Sequence, residues 1–314
     1  MISRITFTGG KEKAFVLLLM LSLLMCGFGA RSAEASWNET DHAGYDVSIP
    51  ENPERILALN PLLMEGLFAL GLSPVGKVDE YGIRKEGIGL PSVGSQPNVD
   101  IESVYTLNPS LVIGHIRFHG AIARTLRQDG VAVYLVDPGK MGNNPMLDSV
   151  MFLGRLLRRE DAARSYADSI HNLARKLKER IFSETDIRSG VVIQDGDRIA
   201  AAQNATSYGS VLTALGIGNI VPDDIPGSNK ENFIAFDIET IIASDPDVVF
   251  IVASSNNAEQ NRAAVEKYMR DSKWSGLKAV RTKRVLTLPF KVNPGRATAE
   301  EMLRIAAETL LKNE

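Results

Sequence analysis

Short runs of branched apolar residues alternate with amphipathic segments along most of this chain. The runs are continuously apolar, as is typical of parallel strands that are covered by helices on both faces. The strands predicted on this basis are Ile56–Leu59, Val75–Val78, Leu111–Gly114, Val131–Val136, Val191–Gln194, Ile220–Val221, Val248–Val252 and Val285–Leu288. The pattern therefore predicts an α/β fold with mainly parallel sheets.

One long amphipathic segment separates the fourth predicted strand from the fifth. From Glu160 to Phe182, apolar residues recur every three or four positions, and charged residues occupy most of the other faces. This spacing predicts a helix with one buried stripe, and at 1.5 Å per residue the helix would be about 35 Å long. Such a helix can join two lobes as a stiff connector. The alternative is that it packs along the first lobe alone.

A repeated segment indicates that the two halves of the chain are related. Residues 99–113 and 236–250 align without a gap, and each predicts a short helix, a turn at an Asn-Pro or Asp-Pro pair, and a buried strand. Asp100 and Asp237 precede the two helices, where a carboxylate can accept free backbone N–H groups of the first turn. A period this long indicates two similar lobes rather than a solenoid.

The amino-terminal segment is typical of an export signal. Arg4, Lys11 and Lys13 precede the apolar stretch from Ala14 to Ala30, and Ala33-Glu34-Ala35 follows it. This order predicts a secretory signal peptide cleaved after Ala35. A retained anchor helix is the alternative, because the run is close to membrane-spanning length. The predicted organisation is a signal peptide at residues 1–35, an N-terminal lobe at 36–158, a connecting helix at 159–183 and a C-terminal lobe at 184–314.

Cys26 is the single cysteine of the chain. A lipid-attachment signal would place a small residue before it, and the bulky Met25 stands there, so we favour cleavage after Ala35 over lipidation at Cys26. Cleavage would remove the thiol, which suits an oxidising compartment. One cysteine also excludes an intrachain disulfide and every multi-cysteine metal site.

The composition is that of a soluble globular protein, with 44% apolar and 23% charged residues and a formal net charge of −3. Because no basic stretch offers the positive face that nucleic acid requires, we expect no nucleic-acid partner. The first predicted strand is not followed by Gly-x-Gly-x-x-Gly, and the chain contains no phosphate-binding loop and no nucleophile elbow. These features favour a binding protein over an enzyme.

Several segments together carry a family resemblance. They are Asp46–Ile56, Leu70–Gly76, the repeated Asp-Ile-Glu helix with its following strand, the long central helix and Trp274–Val280. In this order they resemble the periplasmic solute-binding proteins of ABC importers for iron chelates, haem and cobalamin, over residues 43–312. The resemblance implies two Rossmann-like lobes joined by a single long helix, with a ligand cleft between the lobes. It also implies capture of a metal chelate without catalysis.

The resemblance further implies a membrane partner. In that family one glutamate on each lobe pairs with arginines of a permease dimer in the inner membrane, and Glu102 and Glu239 occupy the corresponding position of each repeat. Two equivalent acidic points suit a two-fold symmetric partner. The alternative is that both glutamates only favour the positive end of a helix. We expect a monomeric periplasmic protein without an intrinsic cofactor.

The ligand is expected at the loops that follow the strands, because ligands of open parallel sheets bind beyond the carboxyl ends of the strands. The candidate ligand-binding residues in these loops are Asn60, Met64, Tyr81, Arg84, His115, Arg117, Phe118, His119, Tyr208, Ser254, Ser255, Lys291 and Arg296. The cations among them suit carboxylates, catecholates or haem propionates. The aromatic residues, together with Phe290, offer flat surfaces to a large chelate.

The histidines leave the metal chemistry open. His115 and His119 are four residues apart, a spacing that brings two metal ligands together on a helix, yet both follow a predicted strand. A single axial histidine to haem iron, from His115 or His119 and with Met64, Tyr81 or Tyr208 opposite, is easier to build than a two-histidine ion site.

Three ligand classes therefore remain as alternatives. A ferric siderophore is favoured over haem, because the haem-binding members place a histidine where Ser254 and Ser255 stand in this chain. Cobalamin comes third. The cobalamin-binding members tend to place tryptophans over the corrin, and neither Trp37 nor Trp274 lies in a predicted cleft loop. A ligand sensor or adaptor with the same fold is the functional alternative to a transport protein.

Overall fold

A computed structural model describes residues 36–142, 144–194, 196, 198–223, 225, 232–252 and 258–312. The predicted signal peptide with Cys26, and the cleft candidates Ser254 and Ser255, lie outside these ranges. Within the ranges, no helix is both long enough and apolar enough to cross a membrane.

Strands and helices alternate along the chain, as the apolar pattern predicts. The strands are β1 (Ser36–Thr40), β2 (Asp46–Pro50), β3 (Ile56–Ala58), β4 (Gly94–Ser95), β5 (Asn98–Val99), β6 (Leu111–His115), β7 (Ala132–Val136), β8 (Ser189–Gln194), β9 (Ala200–Ala201), β10 (Gly218–Asn219), β11 (Ile234–Ala235), β12 (Val248–Val252) and β13 (Val285–Leu288). The helices are α1 (Pro61–Ala69), α2 (Lys85–Ile88), α3 (Ile101–Leu107), α4 (Ile116–Gln128), α5 (Asp148–Leu156), α6 (Glu160–Glu184), α7 (Gly209–Ala214), α8 (Ile238–Ser244), α9 (Ala258–Arg270), α10 (Lys278–Arg281) and α11 (Ala299–Leu311).

Two sheets form the centres of two lobes. In the N-terminal lobe β3, β6 and β7 lie side by side in that order, and all are parallel. In the C-terminal lobe the order is β11, β9, β8, β12 and β13, with β10 paired to β8. There β10, β8, β12 and β13 are parallel, whereas β9 and β11 are antiparallel to their neighbours. The predicted α/β class, with mainly parallel sheets in two Rossmann-like lobes, is confirmed.

Each sheet buries both of its faces. In β12, Val249 and Ile251 belong to the apolar cluster on one face, and Val248, Phe250 and Val252 belong to the cluster on the other. The strands of the N-terminal lobe divide their side chains between two clusters in the same way. Because burial of one such side chain contributes about 1.5–3 kcal/mol, a continuously apolar strand is stable only in the middle of a layered α/β lobe.

Two of the predicted strands are wrong. Neither Val75–Val78 nor Ile220–Val221 forms a strand, although each segment touches the edge of a sheet. The Val75 N–H donates to the Ile56 carbonyl at 2.9 Å, and the Ile220 N–H donates to the Gly190 carbonyl at 3.1 Å. Val75–Val78 forms no more than an isolated bridge, in which Lys77 pairs with Ser92, and Pro74 before Val75 has no N–H to add. The strand beside β8 is β10, which ends at Asn219, so the predicted Ile220–Val221 begins one residue after it. The two errors fall at equivalent positions of the two lobes.

The two copies of the repeat share their local structure. Asp100 and Asp237 cap α3 and α8, and each carboxylate accepts the backbone N–H of the residue two positions further on. Both helices end at a left-handed residue, Asn108 or Asp245, with φ of 44° and 41°. Asn and Asp visit this conformation more readily than other non-glycine residues, and the proline that follows each of them prevents the helix from continuing.

The predicted connecting helix is α6, whose 25 residues correspond to about 37 Å. Its first turn places Ala163 in the apolar core of the N-terminal lobe, and Tyr166 contacts the cores of both lobes. The residues that it buries in the C-terminal lobe are Ala167, Ile170, Ala174 and Ile181. The alternative that the helix packs along the first lobe alone is therefore wrong, because most of its buried stripe faces the second.

We predict that the double-sided burial of β12 dominates the stability of the C-terminal lobe. Ile251→Ala should lower the free energy of unfolding by about 2–5 kcal/mol, because it leaves a cavity in a close-packed core. Ile242→Ala is the matched control: Ile242 is 41% exposed and Ile251 only 1%, so the same change at Ile242 should stay within about 0.5 kcal/mol. Urea unfolding measures the free energy of unfolding of both variants, and equal losses of stability would contradict the double-sided burial of β12.

Candidate functional site

Polar side chains of the N-terminal lobe meet at the carboxyl ends of its three strands. Asn60 follows β3, His115 ends β6 and Asp137 follows β7. Because these strands are parallel neighbours, their ends lie on one edge of the sheet. All three side chains accept backbone N–H groups of the helical turn that follows them. This edge is where the ligand cleft was predicted, and its polar residues also begin the helices that cover the sheet.

His115 stands at the centre of the edge, beside a cation and an exposed ring. Its Nδ1 accepts the Arg117 backbone N–H at 2.9 Å, and its ring centroid is 5.0 Å from that of Phe118. The guanidinium of Arg117 lies over the Phe118 ring, 5.5 Å from its centroid. Phe118 is 40% exposed, and Arg117 is also exposed. The structure therefore brings these three predicted ligand-binding residues together on an accessible surface.

His119 is not available to a ligand, which corrects the prediction for this residue. Its side chain is buried, with Nδ1 accepting the His115 backbone N–H and Nε2 donating to the Gln96 carbonyl, both at 2.7 Å. Burial lowers the pKa of His119, which keeps the ring neutral. The segment after the strand is helical from Ile116 onwards, so the four-residue spacing does bring the two histidines together. It does so to support the backbone and not to form a pair of ligands.

Arg84 and Tyr81 are held by Glu65, a residue outside the predicted ligand-binding set. Glu65, which is buried in α1, accepts hydrogen bonds from Arg84 at 2.5–3.0 Å and from the Tyr81 hydroxyl at 3.2 Å. Burial and the neighbouring Glu65 carboxylate raise the pKa of Tyr81, so its hydroxyl stays protonated. The available signal was a lone acidic residue within an otherwise apolar helix.

This cluster corrects two further predictions for the ligand site. Tyr81 is 2% exposed and Met64 is fully buried in the apolar core. Neither the phenol nor the thioether reaches the surface at the sheet edge, so Met64 offers no sulfur to iron there. Arg84 keeps about a third of its side chain exposed, but its guanidinium is paired with Glu65.

The Glu65 cluster continues to the junction of the two lobes through Tyr166 on α6. Burial, with a contribution from the Glu65 carboxylate, raises the pKa of Tyr166 to about 12, and the backbone of Ala299 lies close enough to oppose part of this shift. Ala299 begins α11 of the C-terminal lobe. Close packing occurs nearby as well, because a Cβ added at Gly295 would lie 3.3 Å from the backbone nitrogen of Leu62. The loops after β3 and β13 are therefore in contact.

The C-terminal lobe presents its own exposed cation and ring after β13. The guanidinium of Arg296 lies 4.5 Å from the Phe290 ring centroid, and Phe290 is 42% exposed. Lys291 is exposed in the same loop. This group resembles that of Arg117 and Phe118 in composition, so each lobe contributes an exposed arginine stacked on an exposed phenylalanine beyond a strand end.

Tyr208 supports this loop from below, which corrects its assignment as a ligand-binding residue. Its side chain is buried in the apolar core of the C-terminal lobe, and its hydroxyl donates to the Phe290 carbonyl at 3.2 Å. Burial raises the pKa of Tyr208, so the hydroxyl remains a donor. The ring thus fixes the loop that carries Phe290 without reaching its surface.

The described residues at the strand ends form no dedicated ion site. Among the described residues, no three histidine, cysteine, aspartate or glutamate side chains are grouped so as to hold a metal ion. The groups at the strand ends are instead cationic, aromatic and hydrogen-bonding. Such groups bind the periphery of a large anion rather than a bare cation.

Glu102 and Glu239 occupy equivalent places in the two lobes. Each is exposed and lies in the first turn of its helix, two positions after the capping aspartate. The structure thus places one acidic side chain on each lobe in the same local setting, which is the arrangement that the sequence repeat predicts.

Comparison with known proteins places the chain among binding proteins. A sequence profile described as "Periplasmic binding protein" matches residues 56–292. The chain is 21% identical over 245 residues to the Fe(3+)-citrate-binding protein YfmC of Bacillus subtilis, covering 76% of this chain and 74% of YfmC. It is 24% identical over 298 residues to the probable siderophore-binding lipoprotein YfiY of the same organism, covering 87% and 89%.

Solved structures show the same fold. The siderophore-binding protein FhuD from Vibrio cholerae, bound to Fe3+-Desferal, superposes with a TM-score of 0.64 at 15% sequence identity, covering 82% of this chain and 98% of FhuD. At this identity the likeness concerns the two-lobe architecture.

The raised pKa of Tyr166 predicts how stability depends on pH. The unfolded side chain ionises near pH 10, whereas the folded one resists ionisation to about pH 12. The stabilisation is therefore complete below pH 10 and is lost as the pH rises to 12, at a rate of up to about 1.4 kcal/mol per pH unit.

Urea unfolding of the wild type and Tyr166→Phe at pH 8, 10, 11 and 12 measures this effect. The stability curve of the variant should fall less steeply than that of the wild type between pH 10 and 12, because the other tyrosines contribute equally to both proteins. Parallel curves would show that Tyr166 ionises as freely in the folded protein as in the unfolded chain.

Proposed function

This chain belongs to the periplasmic binding protein family, and we propose that it captures a ferric siderophore between its lobes and delivers it to the permease of an ABC importer. The family is one of binding proteins, so the chain carries its substrate without converting it. ABC transporter substrate-binding proteins work with a membrane permease and an ATPase. The relatives named for Fe(3+)-citrate and siderophore binding support an iron chelate as the substrate.

One observation carries the choice of ligand: each lobe holds an arginine stacked on an exposed phenylalanine beyond a strand end. Although the chain has a formal net charge of −3, these groups and Lys291 are cationic. An arginine can bind a carboxylate or catecholate oxygen through a charge-assisted hydrogen bond, while the ring beside it covers an apolar part of the ligand. A large chelate with negative oxygens on its periphery fits these requirements.

Contact between the loops after β3 and β13 supports a ligand held between the lobes. Gly295, near Arg296, approaches the backbone of Leu62 at the start of α1. The loop that carries Arg296 therefore lies against the start of α1, at the strand-end edge of the N-terminal lobe, which supports a ligand shared by the two lobes.

The proposed docking contact uses Glu102 and Glu239. Both side chains are exposed, and both belong to the same helix-strand unit of their lobe. A permease dimer presents two related surfaces, so a monomeric binding protein with two equivalent acidic points can engage both at once.

We place the protein outside the cytoplasmic membrane, where a binding protein meets its substrate. Cleavage after Ala35 is the favoured route, and a lipid anchor at Cys26 is the alternative, which the naming of YfiY as a lipoprotein supports. The mass of the chain isolated from its native membrane and periplasm distinguishes the two outcomes.

We predict that removal of either strand-end arginine weakens chelate binding. Arg117→Ala and Arg296→Ala should each raise the Kd for the ferric chelate that binds the wild type by at least about ten-fold, because a charge-assisted hydrogen bond contributes about 1.5–3 kcal/mol. Ferric citrate, ferrioxamine, ferric triscatecholate, haem and cobalamin form the panel of probes, and intrinsic fluorescence quenching measures binding. Arg270→Ala, on the exposed face of α9, is the control and should leave the Kd unchanged.

Two outcomes of this binding experiment would contradict the proposal. Binding of none of the five probes by the folded protein would exclude a metal chelate as the substrate. Binding that is insensitive to both arginine variants would place the ligand elsewhere on the molecule.

A separate prediction concerns docking. Glu102→Ala combined with Glu239→Ala should abolish uptake of the iron chelate by cells while leaving the Kd unchanged, because neither carboxylate belongs to the strand-end groups proposed to contact the ligand. Glu179→Ala combined with Glu184→Ala, on the exposed face of α6, removes the same charge and should preserve uptake. A loss of affinity in the first double variant would instead assign these glutamates to the ligand site.

A further inference from the structure

The tautomer of His115 is fixed by the backbone of the helix that it caps. Its Nδ1 lies 2.9 Å from the Arg117 backbone nitrogen, and a backbone N–H can only donate a hydrogen bond. Nδ1 must therefore carry the lone pair. In a neutral imidazole the single proton then resides on Nε2, which makes this atom a donor.

Burial lowers the pKa of His115, so the ring is neutral at neutral pH. A switch to the other tautomer would place a proton on Nδ1, against the N–H of Arg117. That switch would leave one first-turn N–H of the helix without its side-chain acceptor.

His119 holds this arrangement in place from one helical turn further on. Its Nδ1 accepts the His115 backbone N–H, and its Nε2 donates to the Gln96 carbonyl, both at 2.7 Å. Gly114 leaves room for the ring, because a Cβ at that position would lie 3.1 Å from the His119 Cβ. Both ring nitrogens of His119 are occupied, so its role is to position the backbone of His115.

The other groups proposed as iron ligands lie beneath the surface. Met64 is fully buried, and Tyr81 and Tyr208 are each 2% exposed. The phenols donate their protons to Glu65 and to the Phe290 carbonyl. Among the candidate ligand residues that the structure describes, none presents a free nitrogen, sulfur or phenolate lone pair at the strand ends.

We infer that His115 acts as a hydrogen-bond donor to the ligand through Nε2–H, and that the cleft selects iron whose coordination sphere is already filled by a chelator. This inference rests on the proposed function and specifies its substrate class. A hexadentate ferric chelate presents oxygens at its periphery, which accept hydrogen bonds from His115 and from the neighbouring Arg117. Haem presents an open axial position on iron, which requires a lone pair that this His115 tautomer does not supply.

The first test reads the tautomer without any ligand. In the exported protein labelled with 15N, long-range proton–nitrogen NMR spectra at pH 7.5 report which ring nitrogen of each histidine is protonated. The chain has four histidines, and His115→Gln assigns the signals of His115 by their loss. We expect the Nε2–H form for both His115 and His119. An Nδ1–H form at His115 would overturn the inference and leave the proposed function intact.

The second test separates donation from metal ligation. His115→Gln retains a side-chain N–H donor and an oxygen that can cap the helix, whereas His115→Met has a similar length but no N–H. The Kd for the ferric chelate bound by the wild type should change less than about three-fold in the glutamine variant and rise on the order of ten-fold in the methionine variant. The thermal unfolding midpoint of each variant shows whether a loss of affinity follows from a loss of fold. If the glutamine variant is unfolded, His115→Asn replaces it, because asparagine is a stronger helix cap that also carries a side-chain N–H, and it should bind like the wild type.

Absorption spectra complete the test. The visible charge-transfer band of the ferric chelate should be unchanged on binding, because no ligand of iron is exchanged. Haem binding with a Soret shift typical of histidine ligation, abolished in His115→Gln, would overturn the inference but uphold chelate binding. Equal affinities of the glutamine and methionine variants, both folded, would also overturn it. Failure of every chelate to bind would contradict the proposed function itself.

Discussion

The burial of both faces of each parallel sheet is the constraint on which the rest of this structure depends. A strand such as β12 divides its side chains between two apolar clusters, so it has no face left for polar chemistry. Functional side chains can therefore stand only where strands end. His115 is the last residue of β6, and Phe290 follows the end of β13 by two positions. The location of the proposed cleft is thus a consequence of how the lobes are stabilised.

The joint between the lobes follows from the same principle. The buried stripe of α6 begins in one core and continues in the other, so the helix is an integral part of both lobes. Beside it, Tyr166 connects the buried Glu65 cluster of the first lobe with the start of α11 in the second. A continuous helix packed in this way resists bending, and we interpret the two lobes as a preformed cleft whose ligand-bound and free forms differ little.

Features encoded by local sequence could be predicted, and features that depend on tertiary contacts could not. The strands, the connecting helix and the caps at Asp100 and Asp237 follow from apolar runs, periodicity and the position of a carboxylate before a helix. The errors at Val75–Val78 and Ile220–Val221 are marginal cases, because a short apolar run does not reveal whether a neighbouring strand continues beside it. Both segments still touch the sheet edge that was expected.

The residues predicted for the candidate site divide into exposed groups at the strand ends and buried groups beneath them. Arg117, Phe118, Lys291 and Arg296 are exposed in the expected loops. Tyr81, Tyr208, Met64 and His119 are buried beneath them, and no local pattern separates a ring that lies on a loop from one that supports it. The partner that holds Arg84 and Tyr81, Glu65, was invisible for the same reason, because its contacts are 16 and 19 positions away in sequence.

Anomalous diffraction at the iron edge, from crystals of the protein with its ferric chelate, tests the central claim most directly. The account predicts one iron peak between the strand ends of the two lobes, flanked by Phe118 and Phe290, with all the ligands of iron supplied by the chelator. The nearest protein groups should be hydrogen-bond donors to that chelator. An iron atom bonded to His115 or to another protein atom, or an iron peak outside the cleft, would contradict it.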